Sequence, residues 1–270
     1  MSAAHVAVAG RVAPRRRASP IRRLLLPPLG ILCVLAYWEL HIRVFNVPTY
    51  LVPAPSVIAQ TFVEEWPTLQ RNVGATVIEA TGGFFIGNAV AILLAILFVH
   101  NKTMERTLFP IAVAVRTVPI IAIAPILVLL LGNGYAPKIV IAALICFFPT
   151  LVNMVRGLEA VEGSALELMR VLSATRRQIL FKLRLPSSLP FLFAALKIST
   201  ASSVIGAIVA EWIGADVGLG YLIVISTFEF RTGLLYATTV VASLLALGLF
   251  LAIVILEHLI VRWQPDTPRQ

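Results

Sequence analysis

Apolar residues along the chain fall into six long runs, at about 24–42, 73–99, 108–131, 136–155, 191–212 and 236–261, separated by short polar stretches. About 20 helical residues cross the hydrocarbon core of a bilayer. The pattern therefore predicts an all-α, polytopic membrane protein with about six transmembrane helices. Segment 156–190 is unlike the other connections. Within it Leu158, Val161, Ala165, Leu168 and Leu172 recur at steps of 3 and 4, as one apolar face of a helix does. A second short helix is expected at about 175–184, carrying Ile179, Leu180 and Leu183 and ended by Pro186, which lacks the N–H to continue the ladder. Glu159, Glu162, Glu167, Arg170, Arg176 and Arg177 supply a charged side. By pattern alone this helix–turn–helix suits a docking surface, an amphipathic helix on lipid headgroups or a solvated surface helix.

Charge fixes the expected orientation. With the N-terminus inside, sixteen Lys and Arg lie in cytoplasmic stretches and only Arg43, Arg71, Lys138 and Arg231 outside, while Arg116 and Lys197 fall in spans. Such an excess places both termini and segment 156–190 in the cytoplasm. Residues 1–20 read as a disordered basic tail, 21–262 as one transmembrane domain and 263–270 as a second tail.

Composition agrees with a membrane chain: 59% of residues are hydrophobic and 13% charged, with mean hydropathy +0.93. Soluble domains have roughly 25% charged residues. The net charge of +9 is then the loop bias of a membrane protein rather than a nucleic-acid footprint. Cys33 and Cys146 sit within apolar runs, which argues against a disulfide framework or a metal cluster. No G-x-x-x-x-G-K-[ST] phosphate loop occurs, so ATP hydrolysis by that route needs another polypeptide.

"ELMRVLSATRRQILFKLRLP", residues 167–186, resembles the "EAA" loop of permease subunits of bacterial binding-protein-dependent ABC importers. That pattern runs Glu-Ala-Ala, three residues, Gly, nine residues, Ile, one residue, Leu-Pro. Here it reads Glu167-Leu168-Met169, Ser173, Leu183, Leu185-Pro186, with every spacing kept and four identities changed. "LVPAPSVI", "VRTVPIIAIAPILVLLLGNG", "ALICFFPTLVNMVRGL" and "AEWIGADVGLGYLI" extend the likeness over roughly 50–262, toward the branch serving nitrate, taurine, alkanesulfonates and riboflavin or thiamine-pyrimidine precursors.

The resemblance implies a type I importer permease fold acting as a homodimer in the bacterial inner membrane. It also implies two cytoplasmic ATP-binding subunits, which hold ATP and Mg, and an outer substrate-binding protein; this chain itself would bind no cofactor. The loop becomes the coupling helix, with Glu167, Leu168, Arg170, Leu172, Ser173, Ala174, Arg176 and Pro186 at the ATP-binding subunit. The family glycine suggests a left-handed turn, where a non-glycine residue costs about 1–2 kcal/mol, so Ser173 implies strain or another turn geometry.

Ionisable groups inside spans usually face a bundle interior or wet cavity. Arg116, in the third run, suits attraction of an anionic solute or a structural role. In the fifth run Ser202, Gly206 and Ala210 form a small-xxx-small face. With Ser199 and Ser203 it lines either a tight helix seam or the translocation path, and the resemblance favours the path. Glu79 and Glu211 read as structural groups near the outer side. Segment 213–235 reads as an outer re-entrant or interfacial piece, and 55–66 as a short amphipathic outer helix. The rival function is an ion-gradient-driven secondary transporter, a class that usually shows inverted repeats and intramembrane acidic ion sites; no convincing repeat is visible. A membrane enzyme fits less well, because the sequence offers no paired carboxylates, metal set or nucleophile motif.

Overall fold

The computed structural model describes residues 20–261, and its regular elements are all helical. The expected tails 1–20 and 263–270 lie outside the described residues, apart from Pro20. In chain order come α1 (Pro20–Val44), α2 (Pro55–Glu64), α3 (Trp66–His100), α4 (Lys102–Val115), α5 (Ile120–Leu131) and α6 (Tyr135–Glu159). Then follow α7 (Gly163–Val171), α8 (Arg176–Ile179), a π turn (Leu180–Arg184), α9 (Leu185–Glu211), α10 (Leu219–Phe228) and α11 (Thr232–Ile260).

Helix starts follow local chemistry. Pro55 opens α2, where the missing N–H is one that the first turn leaves unpaired anyway. The Asn101 side chain accepts from the Thr103 and Met104 N–H groups to cap α4. Thr175 and Gln178 exchange bonds as a capping box at α8.

Helices α3, α6 and α9 form the centre. Their contact faces are small: Ala80, Ala91, Ala95, Ala142, Ala195 and Ala207 are almost fully buried. A Cβ on Gly206 would lie 2.9 Å from the Ala142 Cα, and one on Gly87 would strike the Ala143 carbonyl. Backbones approach this closely only where side chains are absent or tiny. A polar chain crosses the same centre: Thr150 Oγ1 donates to Asn88 Oδ1 at 2.5 Å and lies 3.2 Å from Ser199 Oγ.

The periphery is the reverse. Leu129 is 86% exposed, Leu130 73% and Phe85 69%, and only 11% of the most apolar stretch of α11 is buried against 56% for α6. Continuous apolar surface of this extent is a liability in water but matches lipid. Four helices (α3, α6, the continuous 176–211 helix and α11) are long and apolar enough to cross a membrane, with α4 and α5 together as a fifth, bent candidate. The first expected span lies within α1, which leans on the bundle through Trp38 against Tyr236 and through Glu39, whose carboxylate accepts from the Ser56 N–H and hydroxyl.

Three expectations change. The third span is not one helix, because α4 and α5 meet at 95° through Arg116–Pro119. Proline disfavours the helical conformation at Val118 and cannot donate to the ladder, so Pro119 makes a break rather than a kink. Pro186 does not end the second helix expected in segment 156–190. The Leu185 N–H donates to Leu180 O, five residues back, and the resulting π turn carries the helix past the proline without interruption from Arg176 to Glu211. Finally, Lys138 is no outer loop charge; it is 4% exposed within α6.

Candidate functional site

At the cytoplasmic end predicted by charge, α6 stops at Glu159 and a short turn leads into α7. Leu158 therefore belongs to the core under α6 rather than to the apolar stripe expected to run from it to Leu172. α7 turns Leu166 and Met169 partly toward the bundle and leaves Leu168 59%, Val171 81% and Leu172 66% exposed. Glu167, also exposed, has no ion-pair partner among the described residues.

The turn after α7 explains the family pattern. Ser173 has φ 52°, the left-handed conformation expected for the glycine it replaces. The Ala174 N–H donates to Met169 O and the Ser173 N–H to Arg170 O, both at 2.9 Å, which is a Schellman closure. The turn geometry is kept, and serine holds a conformation that costs it about 1 kcal/mol more than glycine.

Arg170, Arg176 and Arg184 line one cavity of about 520 Å3, beside Lys102 and His100 at the inner end of α3. None of the three arginines pairs with a carboxylate among the described residues, whereas Lys102 pairs with Glu105 and Glu159 and so ties α4 to α6. Sequence reading passed over Val171 and Phe181, both well exposed, with the Arg177 guanidinium 5.8 Å from the Phe181 ring centroid. Val171 sits about 100° from Leu172 on a helix, and the single-stripe template omitted it.

Within the bundle the expected path residues separate. Arg116 and Ser202 line the same cavity of about 350 Å3, walled by Ile120, Ile145, Phe148 and Ile198 from α5, α6 and α9. Arg116 stands at the break itself, as the residue that closes α4. Ser199, Ser203 and Gly206 are buried in the central trio instead. Ser199 Oγ donates to Cys146 O at 3.4 Å, and Ser203 Oγ bonds the Thr200 carbonyl of its own helix at 2.9 Å.

The opposite end holds a polar cluster that sequence reading only half saw. Glu79, Glu211 and Lys138 are all at least 96% buried, and Lys138 Nζ lies 3.7 Å from Glu79 Oε1. Glu211 Oε1 accepts from Thr76 Oγ1 at 2.6 Å. Asn72 Oδ1 accepts the Gly218 N–H and Thr76 Oγ1 the Leu219 N–H, each at 2.8 Å, while the Gly220 N–H donates to Glu211. The signal available in the sequence was Asn72, Thr76 and Glu79 at steps of 4 and 3 inside an otherwise apolar helix.

Comparison with known proteins fits this architecture. Residues 87–264 match the family described as "Binding-protein-dependent transport system inner membrane component". The chain is 34% identical to the formylaminopyrimidine transport permease protein ThiX of Halalkalibacterium halodurans, over 89% of this chain and 96% of that one. It is 31% identical to the riboflavin transport system permease protein RibX of Chloroflexus aurantiacus, over 94% and 96%. The taurine transport system permease protein TauC of Escherichia coli is 25% identical over 92% and 93%. Among solved structures, an inward-facing MetNI methionine ABC transporter chain superposes with TM-score 0.65 at 20% identity, covering 73% of this chain and 98% of that one. That likeness speaks for the fold, and the sequence relatives for the lineage. The chain belongs to the inner-membrane permease subunits of binding-protein-dependent ABC importers, a multi-pass transport component rather than an enzyme.

Proposed function

We propose that two copies of this chain form the membrane pore of an importer for a small anionic or heterocyclic solute, with both termini in the cytoplasm. Two ATP-binding subunits, which carry ATP and Mg, dock beneath α7 and α8, and a substrate-binding protein delivers the solute at the other face. The observation that carries this reading is the outward face of α7. Leu168, Val171 and Leu172 stand exposed beside Glu167, which has no ion-pair partner among the described residues, at the end of the molecule where the charges predicted to be cytoplasmic gather. Apolar groups on a folded helix outside the lipid need a partner, and the flanking charges set its register and specificity. The 350 Å3 cavity supports a path through α5, α6 and α9, with Arg116 and Ser202 as the groups that meet the solute. The heterocyclic class rests on the formylaminopyrimidine and riboflavin permeases among the relatives, the anionic class on Arg116.

Co-purification tests the reading. The tagged chain retains an ATP-binding subunit, and uptake stops with vanadate while surviving collapse of the proton gradient. The opposite pattern of inhibition would identify a secondary transporter. Orientation is checked by reporter fusions, which report cytoplasm after residues 20, 103, 175 and 265 and the outer side after 60, 134 and 222. An outer signal at 175 removes α7 from any ATP-binding subunit.

A further inference from the structure

The connection between the last two spanning helices does not simply turn around. It folds back as α10, a ten-residue helix whose Leu219 and Leu222 pack with Leu69 of α3 and Leu234, Ala237 and Val241 of α11. The first amides of a helix have no partner within it and must find acceptors elsewhere. Here three of those amides find acceptors on side chains of the spanning helices. Gly218 N–H goes to Asn72 and Leu219 N–H to Thr76, both on α3, while Gly220 N–H goes to Glu211 at the end of α9. The Glu211 carboxylate also takes the favourable position for a negative charge at a helix N-terminus. Two glycines make the approach possible: a Cβ on Gly218 would occupy the place of the Glu211 carboxylate, and one on Gly220 would strike the Ile208 carbonyl.

Two further facts give this arrangement a direction. α10 is held by two different helices at once, so relative movement of α3 and α9 at this end must stretch or break one of its bonds. In addition, α9 is continuous with α8, giving 36 helical residues from Arg176 to Glu211, about 54 Å at 1.5 Å per residue. One end of this rod belongs to the coupling segment and the other carries Glu211.

We propose that Asn72, Thr76 and Glu211 are positioning residues that latch α10 across the outer ends of α3 and α9, and that release of this latch accompanies opening of the outer side during transport. Movement imposed at α7 and α8 reaches the latch along the rod. Movement imposed on α10 from outside, by a docked binding protein, reaches the coupling segment by the same route. This rests on the orientation and partners proposed above, whereas the latch itself rests on the hydrogen bonds alone.

The test compares the full chain with Thr76→Val and Thr76→Ser. Valine keeps the shape of threonine but removes the hydroxyl that accepts from Leu219 and donates to Glu211; serine keeps the hydroxyl. In lipid nanodiscs, deuterium uptake over residues 213–222 is expected to speed up about tenfold in Thr76→Val, to stay near wild type in Thr76→Ser, and to be unchanged in α6. In complex with the ATP-binding subunit, Thr76→Val should raise hydrolysis without binding protein about fivefold and bring the stimulation by binding protein toward unity, while Thr76→Ser restores both. If Thr76→Val does not accumulate, Asn72→Ala, which spares the buried carboxylates, carries the same expectations through Gly218. Unchanged exchange over 213–222 overturns the latch. Faster exchange with an unaltered stimulation ratio, or both rates falling together in proportion to recovered complex, overturns its role in transport. If the wild-type chain captures no ATP-binding subunit, the partner reading fails instead, and the exchange measurement still decides the latch.

Discussion

The two ends of the bundle treat polar groups in opposite ways. Around α7 and α8, Glu167 and three arginines lack charge partners among the described residues, and large apolar side chains stand exposed beside them. Around α10, the amides of Gly218, Leu219 and Gly220 all have side-chain acceptors, and Glu211, Thr76 and Asn72 are buried in making those bonds. An unsatisfied group is cheap in water and expensive when buried; the first region leaves its charges to solvent or to the partner proposed above, and the second holds the chain to itself. Mutations should accordingly affect assembly at one end and integrity at the other.

The largest effect is expected at the closed end. Gly218→Ala places a methyl group on the Glu211 carboxylate at a φ of 130°, which L side chains rarely adopt. Overpacking costs about 1–3 kcal/mol and the backbone conformation about 1–2 kcal/mol, so the loss should be about 2–5 kcal/mol, seen as a collapse in the yield of thermally stable chain in detergent. A normal yield would show that α10 can dock elsewhere, and the contrast between the ends would weaken. At the open end Glu167→Lys should leave membrane levels untouched. Breaking a partly buried interfacial charge pair costs about 2–5 kcal/mol, so the ATP-binding subunit should be lost on purification and uptake with it. Wild-type uptake at equal expression would mean that α7 is not the docking surface.

Arg116→Gln addresses the cavity between the two ends. Removing a charged hydrogen-bond donor from a binding site costs about 1.5–3 kcal/mol. The concentration for half-maximal uptake should rise roughly tenfold or more, with assembly intact. Failure to accumulate would instead mark Arg116 as a structural residue of the α4–α5 break. The smallest effect belongs to Ser173→Gly, which relieves a left-handed serine and should stabilise the turn by about 1 kcal/mol. Slower exchange of the Ala174 amide, with docking unchanged, is the expected result.

Both regions were visible in the sequence to different degrees. The spacing around Glu167 predicted a short helix and a turn, which α7 and the Ser173 turn supply, because the helix period and the turn are local properties. Alignment of Ser173 with a glycine left strain and another turn geometry open, and its φ of 52° decides for the left-handed turn. The break at Arg116–Pro119 is not legible in the apolar run 108–131, because a proline states that a ladder bond is lost and not what the next helix packs against. Pro186 was overestimated for the same reason: the π turn at Leu180–Arg184 absorbs it.

Hydropathy and composition were sufficient to define a multi-spanning membrane chain, since these are properties of solvent preference; the transport family came from the resemblance of its motifs. Which small residues form a seam and which line a cavity was a tertiary decision. Ser199 and Ser202 lie three positions apart on one helix, yet the first is sealed against α6 while the second lines the cavity with Arg116. The outer latch was likewise decided by tertiary structure. Asn72 and Gly218 are 146 positions apart, and nothing in the local chemistry of either determines that partner. Burial made their bond necessary; the packing of α3, α9 and α10 made it possible.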